Sequence, residues 1–163
     1  MDTFDRYKRL KLRLQNGNIN NILLNSIGIP ILWYNGQYQL GKDNVSILAP
    51  VIYIEMPTDM KIDYFPRGLQ TVRNAHIKIH ILSIAPYKSI DNQIQDHKIE
   101  QHQTLIDDVH NLLNGFEMKT DAGKVITSQL ILQGIAPMKY RSSFVVTVLD
   151  YVCEFYKQEL KSV

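Results

Sequence analysis

Three polar side chains alternate along residues 75–82, AHIKIHIL, and two of them are histidines. His76, Lys78 and His80 share one face of a predicted strand, because side chains two positions apart point the same way. Imidazole binds transition metals and transfers protons, so this face raises the question of a metal or catalytic site. Residues four apart on a strand are separated by ~13 Å, and bonds of ~2 Å from one metal ion cannot reach both histidines. We therefore interpret the face as a strand surface turned to solvent or to a partner.

The other residues with catalytic potential lie in a predicted helical region: His97, His102, His110, Asp96, Glu100, Asp107 and Asp108. The histidines are five and eight residues apart, whereas a spacing of four would place two ligands on one helical face. Acidic residues are common on helix surfaces, and a catalytic pair is defined by geometry that spacing does not reveal. The sequence contains neither a phosphate-binding glycine loop nor a Gly-x-Ser-x-Gly motif. We predict no enzyme activity, no metal site and no cofactor.

Composition is typical of a single globular domain. The chain has 163 residues, 45% of them hydrophobic, and its net charge of +2 lacks the basic excess of a dedicated duplex-DNA binder. Cys153 is the only cysteine, which excludes an internal disulfide, and we expect it to be a small buried group in a strand. The charged N-terminus and the lack of a long apolar run predict a soluble protein made in the cytoplasm, with no membrane contact.

The first 28 residues are predicted to be helical. A helix over residues 3–15 follows from apolar side chains at spacings of three and four: Phe4, Tyr7, Leu10 and Leu14. Gly17 ends this helix, and Asn18 can cap a second short helix that stops at Gly28 and Pro30.

Residues 49–158 are predicted to form an α/β core. A turn is expected at Asn35–Gly36, and a bulged or interrupted strand is expected around Pro66 and Gly68. The predicted strands cover residues 49–57, 61–74, 75–82, 123–136 and 142–158. The strand at 123–136 is expected to be broken near Gly134 and Pro137. An amphipathic helix is clearest at residues 99–114, with an apolar face made by Leu105, Ile106, Val109, Leu112 and Leu113.

The order and close spacing of these elements predict an α+β fold. We expect a mainly antiparallel sheet of about four to five strands, with an N-terminal helix (or two short ones) and one amphipathic helix packed on it. The strand at 142–158 is apolar on both faces, which predicts cover on both sides. A neighbouring subunit is one source of that cover, so a candidate subunit-interface strand is formed by Phe144, Val146, Val148 and Val152.

A second interpretation concerns single-stranded nucleic acid. Basic residues cluster around residues 67–80, with Tyr64 and Phe65 nearby, and basic side chains interleaved with aromatics on a sheet can bind single strands. The near-neutral composition argues against this alternative.

The element order resembles that of the tail-terminator or tail-completion proteins of tailed phages, the family that includes minor tail protein U. The resemblance rests on five stretches that cover most of the chain after residue 25: IPILWYNGQ, APVIYIEM, GLQTVRNAHIKIHILS, HQTLIDDVHNLLNGF and RSSFVVTVLDYVCEFY. The first two stretches are similar to members from phages or prophages of Bacteroidetes-type bacteria.

The resemblance implies a structural virion protein of the tail and neck, assembled in the host cytoplasm. Such proteins form a ring, usually of six copies, at the head-proximal end of the tail tube. The ring stops tube growth and joins the tail to a neck or head-completion protein, while DNA passes through its lumen. A ring also requires two complementary surfaces on each copy. The N-terminal helical segment and the interruption near Pro66 depart from the family pattern, which leaves another neck or connector component as the alternative.

In such a ring, the polar face of residues 75–82 is a candidate for the lumen or for a contact with the tube. The candidate assembly or lumen surface comprises Arg67, Arg73, His76, Lys78, His80, Tyr87, Lys88 and Asp91. The polar segment that holds the last three suits contacts made only on assembly.

Overall fold

The computed structural model has an α+β fold, with two helices and a six-stranded main sheet among the residues it describes. It describes residues 2–19, 22–23, 29–38, 50–64, 70–84, 96–140 and 144–157. The helices are α1 (Thr3–Gln15) and α2 (Asp96–Leu113). The strands are β1 (Asn18–Ile19), β2 (Ile22–Leu23), β3 (Ile31–Trp33), β4 (Val51–Glu55), β5 (Ile62–Tyr64), β6 (Gln70–Ile84), β7 (Ile131–Tyr140) and β8 (Phe144–Tyr156). Neither helix is long and apolar enough to cross a membrane, among the residues described.

Helix α1 confirms the first predicted helix. The Asp2 carboxylate caps it by accepting a hydrogen bond from the Asp5 amide at 3.0 Å. Tyr7, Leu10 and Leu14 are buried against the sheet. The predicted second helix is wrong where the structure describes it, because β1 and β2 pair as antiparallel strands. Asparagine and β-branched isoleucine favour the helix weakly, and isoleucine favours extended backbone.

The main sheet has the strand order β3-β4-β6-β8-β7. Strand β3 runs parallel to β4, and the other pairs are antiparallel, as the sequence predicted for most of the sheet. Strand β5 pairs with the first residues of β6. The segment at 61–74 is therefore two strands that pair with each other, with a register shift in β6 between Val72 and Ala75. Asn74 has a φ of 53° at this bulge.

Strand β7 starts later than predicted and does not end at Pro137. Residues 123–130 make only isolated bridges, and the regular strand begins at Ile131. The register of β7 shifts between Leu132 and Gly134 and again between Ala136 and Lys139, so the two predicted breaks are irregularities inside one strand. Strand β7 is an edge strand and, among the described strands, pairs only with β8. Pro137, which lacks a backbone N–H, is therefore tolerated at this irregularity.

The core lies between the two helices and one face of the sheet. The alternating residues of β6 are all buried on this face, as predicted: Ala75, Ile77, Ile79 and Ile81. The face of β8 on the same side of the sheet is also buried, and it includes Tyr151, Cys153 and Phe155. Helix α2 confirms the predicted amphipathic helix and buries Leu105, Ile106, Val109 and Leu113. Gly115, with a φ of 76°, follows the end of α2.

A second, smaller apolar cluster lies on the opposite face of the sheet. It contains Val51, Tyr53, Leu82 and Val146, and Tyr34 and Tyr38 pack against it. Residues 34–38 follow β3 and include the predicted turn, where Gly36 has a φ of 74°. We call residues 34–38 the strap, because they cover part of the face that carries no helix.

Candidate functional site

His80 lies beneath the strap and is buried, with 3% of its surface exposed. Its ring is stacked on that of Tyr34, with centroids 4.0 Å apart and an interplanar angle of 15°. Tyr38 contacts the same ring edge-on. The prediction of a strand surface turned to solvent or a partner is therefore wrong for His80. Alternation correctly placed His80 opposite the core, but it did not reveal that the chain returns to cover this position.

Both ring nitrogens of His80 have hydrogen-bond partners. Nε2 lies 2.5 Å from Oε2 of Glu55, and Nδ1 contacts the hydroxyl of Tyr38. A carboxylate only accepts, so Nε2 carries the proton, and Nδ1 of the neutral ring then accepts from Tyr38. Burial lowers the pKa of His80, although the hydrogen bond to Glu55 opposes this effect. We call these three side chains the clasp, because they fasten the strap to the sheet.

A hydroxyl group bonded to an imidazole, which is in turn bonded to a carboxylate, is also an arrangement found in nucleophilic catalysis. In the clasp, both imidazole nitrogens are occupied, and Tyr34 closes one face of the ring. The contacts of the clasp are therefore explained by their role in holding the strap on the sheet. The tyrosines on either side of the turn in WYNGQY are visible in the sequence. Their contact with His80 follows only from the fold, which brings the strap over β6.

The remaining described residues of the candidate lumen surface lie beside acidic partners. His76 Nδ1 lies 3.0 Å from Asp150 Oδ1 across the β6–β8 pair. Lys78 lies in register with Glu55 on one neighbouring strand and Asp150 on the other. Arg73 is 3.4 Å from Asp63. This balance of charge does not favour the single-strand nucleic-acid interpretation, which needs a net basic groove.

Four members of the candidate lumen surface, Arg67, Tyr87, Lys88 and Asp91, lie outside the described residues. So do Phe65, Pro66 and Gly68.

His102 occupies a different buried position, on the helical side of the sheet. Its Nδ1 lies 2.7 Å from Ser83 Oγ, and its Nε2 lies 2.9 Å from Thr147 Oγ1. Burial lowers the pKa of His102 to about 4, so the ring is neutral at pH 7. Hydroxyl groups both donate and accept, so these two partners satisfy a neutral ring in either tautomer. His102 therefore anchors α2 to β6 and β8.

Two other polar groups have hydrogen-bond partners, and the thiol of Cys153 is buried. The guanidinium of Arg6 is buried and donates to the carbonyl oxygens of Asp2, Ile126 and Tyr156 at 3.1, 3.2 and 2.7 Å. His110 Nδ1 lies 3.0 Å from the hydroxyl of Tyr151. Burial raises the pKa of Cys153 to about 12, and the thiol is a small buried group in β8, as predicted.

A shallow groove of about 410 Å³ lies where α2 ends, lined in part by Arg13, Phe116 and Lys119. Arg13 lies over the Phe116 ring and donates to the carbonyl of Leu112 at 3.0 Å, so its charge already has local contacts. No cluster of three or more metal-ligating side chains occurs in the part of the chain that the structure describes.

The candidate subunit-interface strand is covered partly by the chain itself. Val146 is buried in the cluster beneath the strap, and Phe144 packs against Tyr38 with ring centroids 6.2 Å apart. Val148 and Val152 are half-buried on the same face. The two-sided cover predicted for this strand thus comes from helices on one side and, at one end, from the strap on the other.

Large apolar side chains are exposed at both edges of the main sheet. At one edge, Trp33 and Leu32 of β3 are 38% and 42% exposed, and Phe4 of α1 packs near Trp33 with ring centroids 6.3 Å apart. Leu32 and Trp33 point to opposite faces of the sheet, because neighbouring residues of a strand alternate. At the other edge, Ile131 and Ile135 of β7 are 59% and 56% exposed. They also point to opposite faces, since Ile131 pairs with Val152 and Ile135 pairs with Leu149.

The chain matches no protein-family model and no curated protein sequence.

Proposed function

We propose that this chain is a structural protein of a phage or prophage tail, which forms a ring at the head-proximal end of the tail tube. The ring ends tube polymerisation and presents a joining surface to a neck or head-completion protein. DNA passes through the lumen as cargo. The assembled protein belongs to the virion, and its action involves no catalysis.

The observation that carries this proposal is the presence of exposed apolar side chains at two different edges of one sheet. Trp33 and Leu32 lie at the β3 edge, and Ile131 and Ile135 lie at the β7 edge. A closed ring of identical copies needs two different surfaces on each copy, since each contact is head to tail. Exposed apolar side chains on edge strands are available for contacts of this kind.

The element order that resembles the tail-terminator family supplies the second support. The described elements run from a helix through paired strands to an amphipathic helix and a final pair of long strands. This is the order of elements on which the resemblance rests.

The charge on the face of the sheet that carries no helix also suits a lumen. His76 and Lys78 lie beside Asp150 and Glu55, so the described part of this face is close to neutral. Retention of DNA depends on neutralising phosphates with basic side chains. A balanced face therefore lets DNA slide through the ring. The alternative within the same class is another neck component, which would use the same self-association without stopping the tube.

The test is a tube-capping experiment. Purified tail-tube protein is polymerised with and without this chain, and tube lengths are measured by electron microscopy. We expect shorter tubes with a ring-shaped density at one end. Folded protein that leaves both the length distribution and the tube ends unchanged would contradict termination. Binding to neck protein without any effect on tubes would favour the alternative.

A further inference from the structure

The chain contains three asparagine–glycine pairs, at residues 16–17, 35–36 and 114–115. Asparagine loses its side-chain amide most readily before glycine, because glycine has no side chain to hinder the attack of its backbone nitrogen. All three asparagines are exposed. The sequence therefore does not distinguish the three pairs, whereas the surroundings of each glycine amide do.

Two of the glycine amides are held by hydrogen bonds. The amide of Gly17 donates to the carbonyl oxygen of Leu14 at 3.2 Å, and this glycine is buried beneath the Leu112 side chain. The amide of Gly115 donates to the carbonyl oxygen of Leu130 at 2.8 Å. An amide nitrogen in such a bond cannot turn toward the neighbouring side chain until the bond breaks. These two pairs are therefore protected in the folded chain.

The amide of Gly36, in the strap, is not held in this way. It has no hydrogen-bond acceptor among the described residues, and no atom lies within 4 Å of the position of a Cβ at this glycine. The flanking backbone is fixed, because the Asn35 amide donates to Gln37 Oε1 at 2.6 Å and Gln37 Nε2 donates to the carbonyl oxygen of Trp33 at 2.8 Å. The strap thus presents an unbonded glycine nitrogen directly after an exposed asparagine.

We propose that Asn35 is a site of spontaneous deamidation and that the reaction loosens the strap. The backbone nitrogen of Gly36 attacks Cγ of Asn35. A bond forms between these two atoms, the bond from Cγ to Nδ2 breaks, and Nδ2 leaves as ammonia, which carries away the proton of the Gly36 amide. Water then opens the cyclic imide at one of its two carbonyl carbons, which gives aspartate or isoaspartate.

Isoaspartate adds a methylene group to the backbone between the two tyrosines of the strap. The start of the strap is fixed, because the Tyr34 amide donates to the carbonyl oxygen of Ile54 at 2.9 Å and the Tyr34 ring is stacked on His80. The added length is therefore taken up at Tyr38, whose hydroxyl contacts Nδ1 of the same imidazole. Loss of that contact leaves a buried ring nitrogen without a partner, which destabilises the clasp. This inference does not depend on the proposed ring.

The first test compares the three pairs within one molecule. Folded wild-type protein is incubated in mildly alkaline buffer, and peptide mapping by mass spectrometry follows deamidation at each asparagine. We expect Asn35 to react roughly tenfold faster than Asn16 or Asn114, because their glycine amides must first break a hydrogen bond. In protein unfolded with guanidinium chloride, the three rates should converge. Equal rates in the folded protein, or a faster reaction at Asn16 or Asn114, would overturn the inference.

The second test measures the effect on the strap. Asn35→Gln is the matched variant, because position 35 is exposed and the longer side chain forms a cyclic imide much more slowly. After the same incubation, wild-type protein should unfold at a lower denaturant concentration than before, and Asn35→Gln should be unchanged. Asn35→Asp carries the new charge without the added methylene, so it should keep the stability of fresh wild type.

Three results of the second test would overturn the effect on the strap. These are wild-type protein that is deamidated at Asn35 but keeps its stability, an equal loss of stability in aged Asn35→Gln, and an Asn35→Asp variant as unstable as aged wild type. The last of these would assign the loss to charge and not to the length of the backbone.

Discussion

His80 and His102 both place an imidazole in an apolar interior, but they do so with different partners. His80 uses a carboxylate and a phenol, and His102 uses two hydroxyl groups. Burial lowers the pKa of both, which favours the neutral ring. Each ring is satisfied only while a particular contact between segments is closed. The stability of the domain therefore depends in part on the contacts that these two histidines make between segments of the chain.

The low pKa of His102 predicts loss of stability in mild acid. Its pKa is lowered from 6.5 to about 4 on folding, so the unfolded chain binds the extra proton below pH 6.5. The neutral ring thus contributes stability above pH 6.5, about 3 kcal/mol by linkage, and this is lost as the pH falls toward 4. Urea unfolding between pH 7 and 4 should show a shallower pH dependence for His102→Gln. A wild-type slope in His102→Gln would disprove this role of His102.

The clasp predicts a specific cost for removing one hydroxyl group. Tyr38→Phe leaves Nδ1 of the buried His80 ring without its donor, which should lower the free energy of unfolding by about 1–2 kcal/mol. Tyr64→Phe is the matched control, because Tyr64 is 72% exposed. Chemical denaturation of both variants provides the comparison. Equal stability of the two would mean that the hydroxyl of Tyr38 does not hold the strap.

Among the elements, α1 is fixed from two directions. The guanidinium of Arg6 donates to three backbone carbonyls, two of them in other segments, and lies 4.6 Å from the Phe155 ring centre. At the other end, Gly17 packs directly beneath Leu112 of α2. The two contacts together set how α1 lies across the sheet, and hence where Phe4 is presented at the β3 edge.

The contact at Gly17 predicts a coupled effect between the helices. Gly17→Ala would place its Cβ against the end of the Leu112 side chain, which must move, at a cost of about 1–2 kcal/mol. In the background of Leu112→Ala this overlap disappears, so the same substitution should cost much less. A double-mutant cycle measured by urea unfolding gives the coupling. Gly115→Ala is not a suitable control, because its φ of 76° adds strain without contact. Additive effects at Gly17 and Leu112 would contradict this packing.

Periodicity in the sequence was enough to predict α1, α2 and the two faces of β6 and β8. It was not enough where a distant segment decides the environment. His80 is buried because the strap, some 42 residues earlier in the chain at Tyr38, returns to it. The start of β7 and the hairpin of β5 with β6 depend on pairing register, which single-strand patterns do not specify. The apolar residues at both edges were visible in sequence, but only the strand order places them at opposite ends of the sheet.

For the whole molecule, the proposed ring depends on edges that stay exposed in the free subunit. Exposed sheet edges invite uncontrolled pairing, and natural proteins protect them with charge or irregularity. The β7 edge has a register shift and a proline, and the α1 flank of β3 carries lysines. These features disfavour simple strand addition. They leave side-chain contacts as the means by which the edges of two copies associate.

Salt dependence distinguishes apolar side-chain contacts between edges from contacts held by exposed charges. Screening shortens the reach of exposed charges from about 10 Å at 0.1 M salt to about 3 Å at 1 M. The exposed side chains at the two edge strands are apolar, so self-association through them should not weaken between 0.1 M and 1 M salt. Sedimentation at both salt concentrations measures the change. Association that weakens by roughly tenfold or more would mean that exposed charges, and not the apolar residues at the edges, hold the copies together.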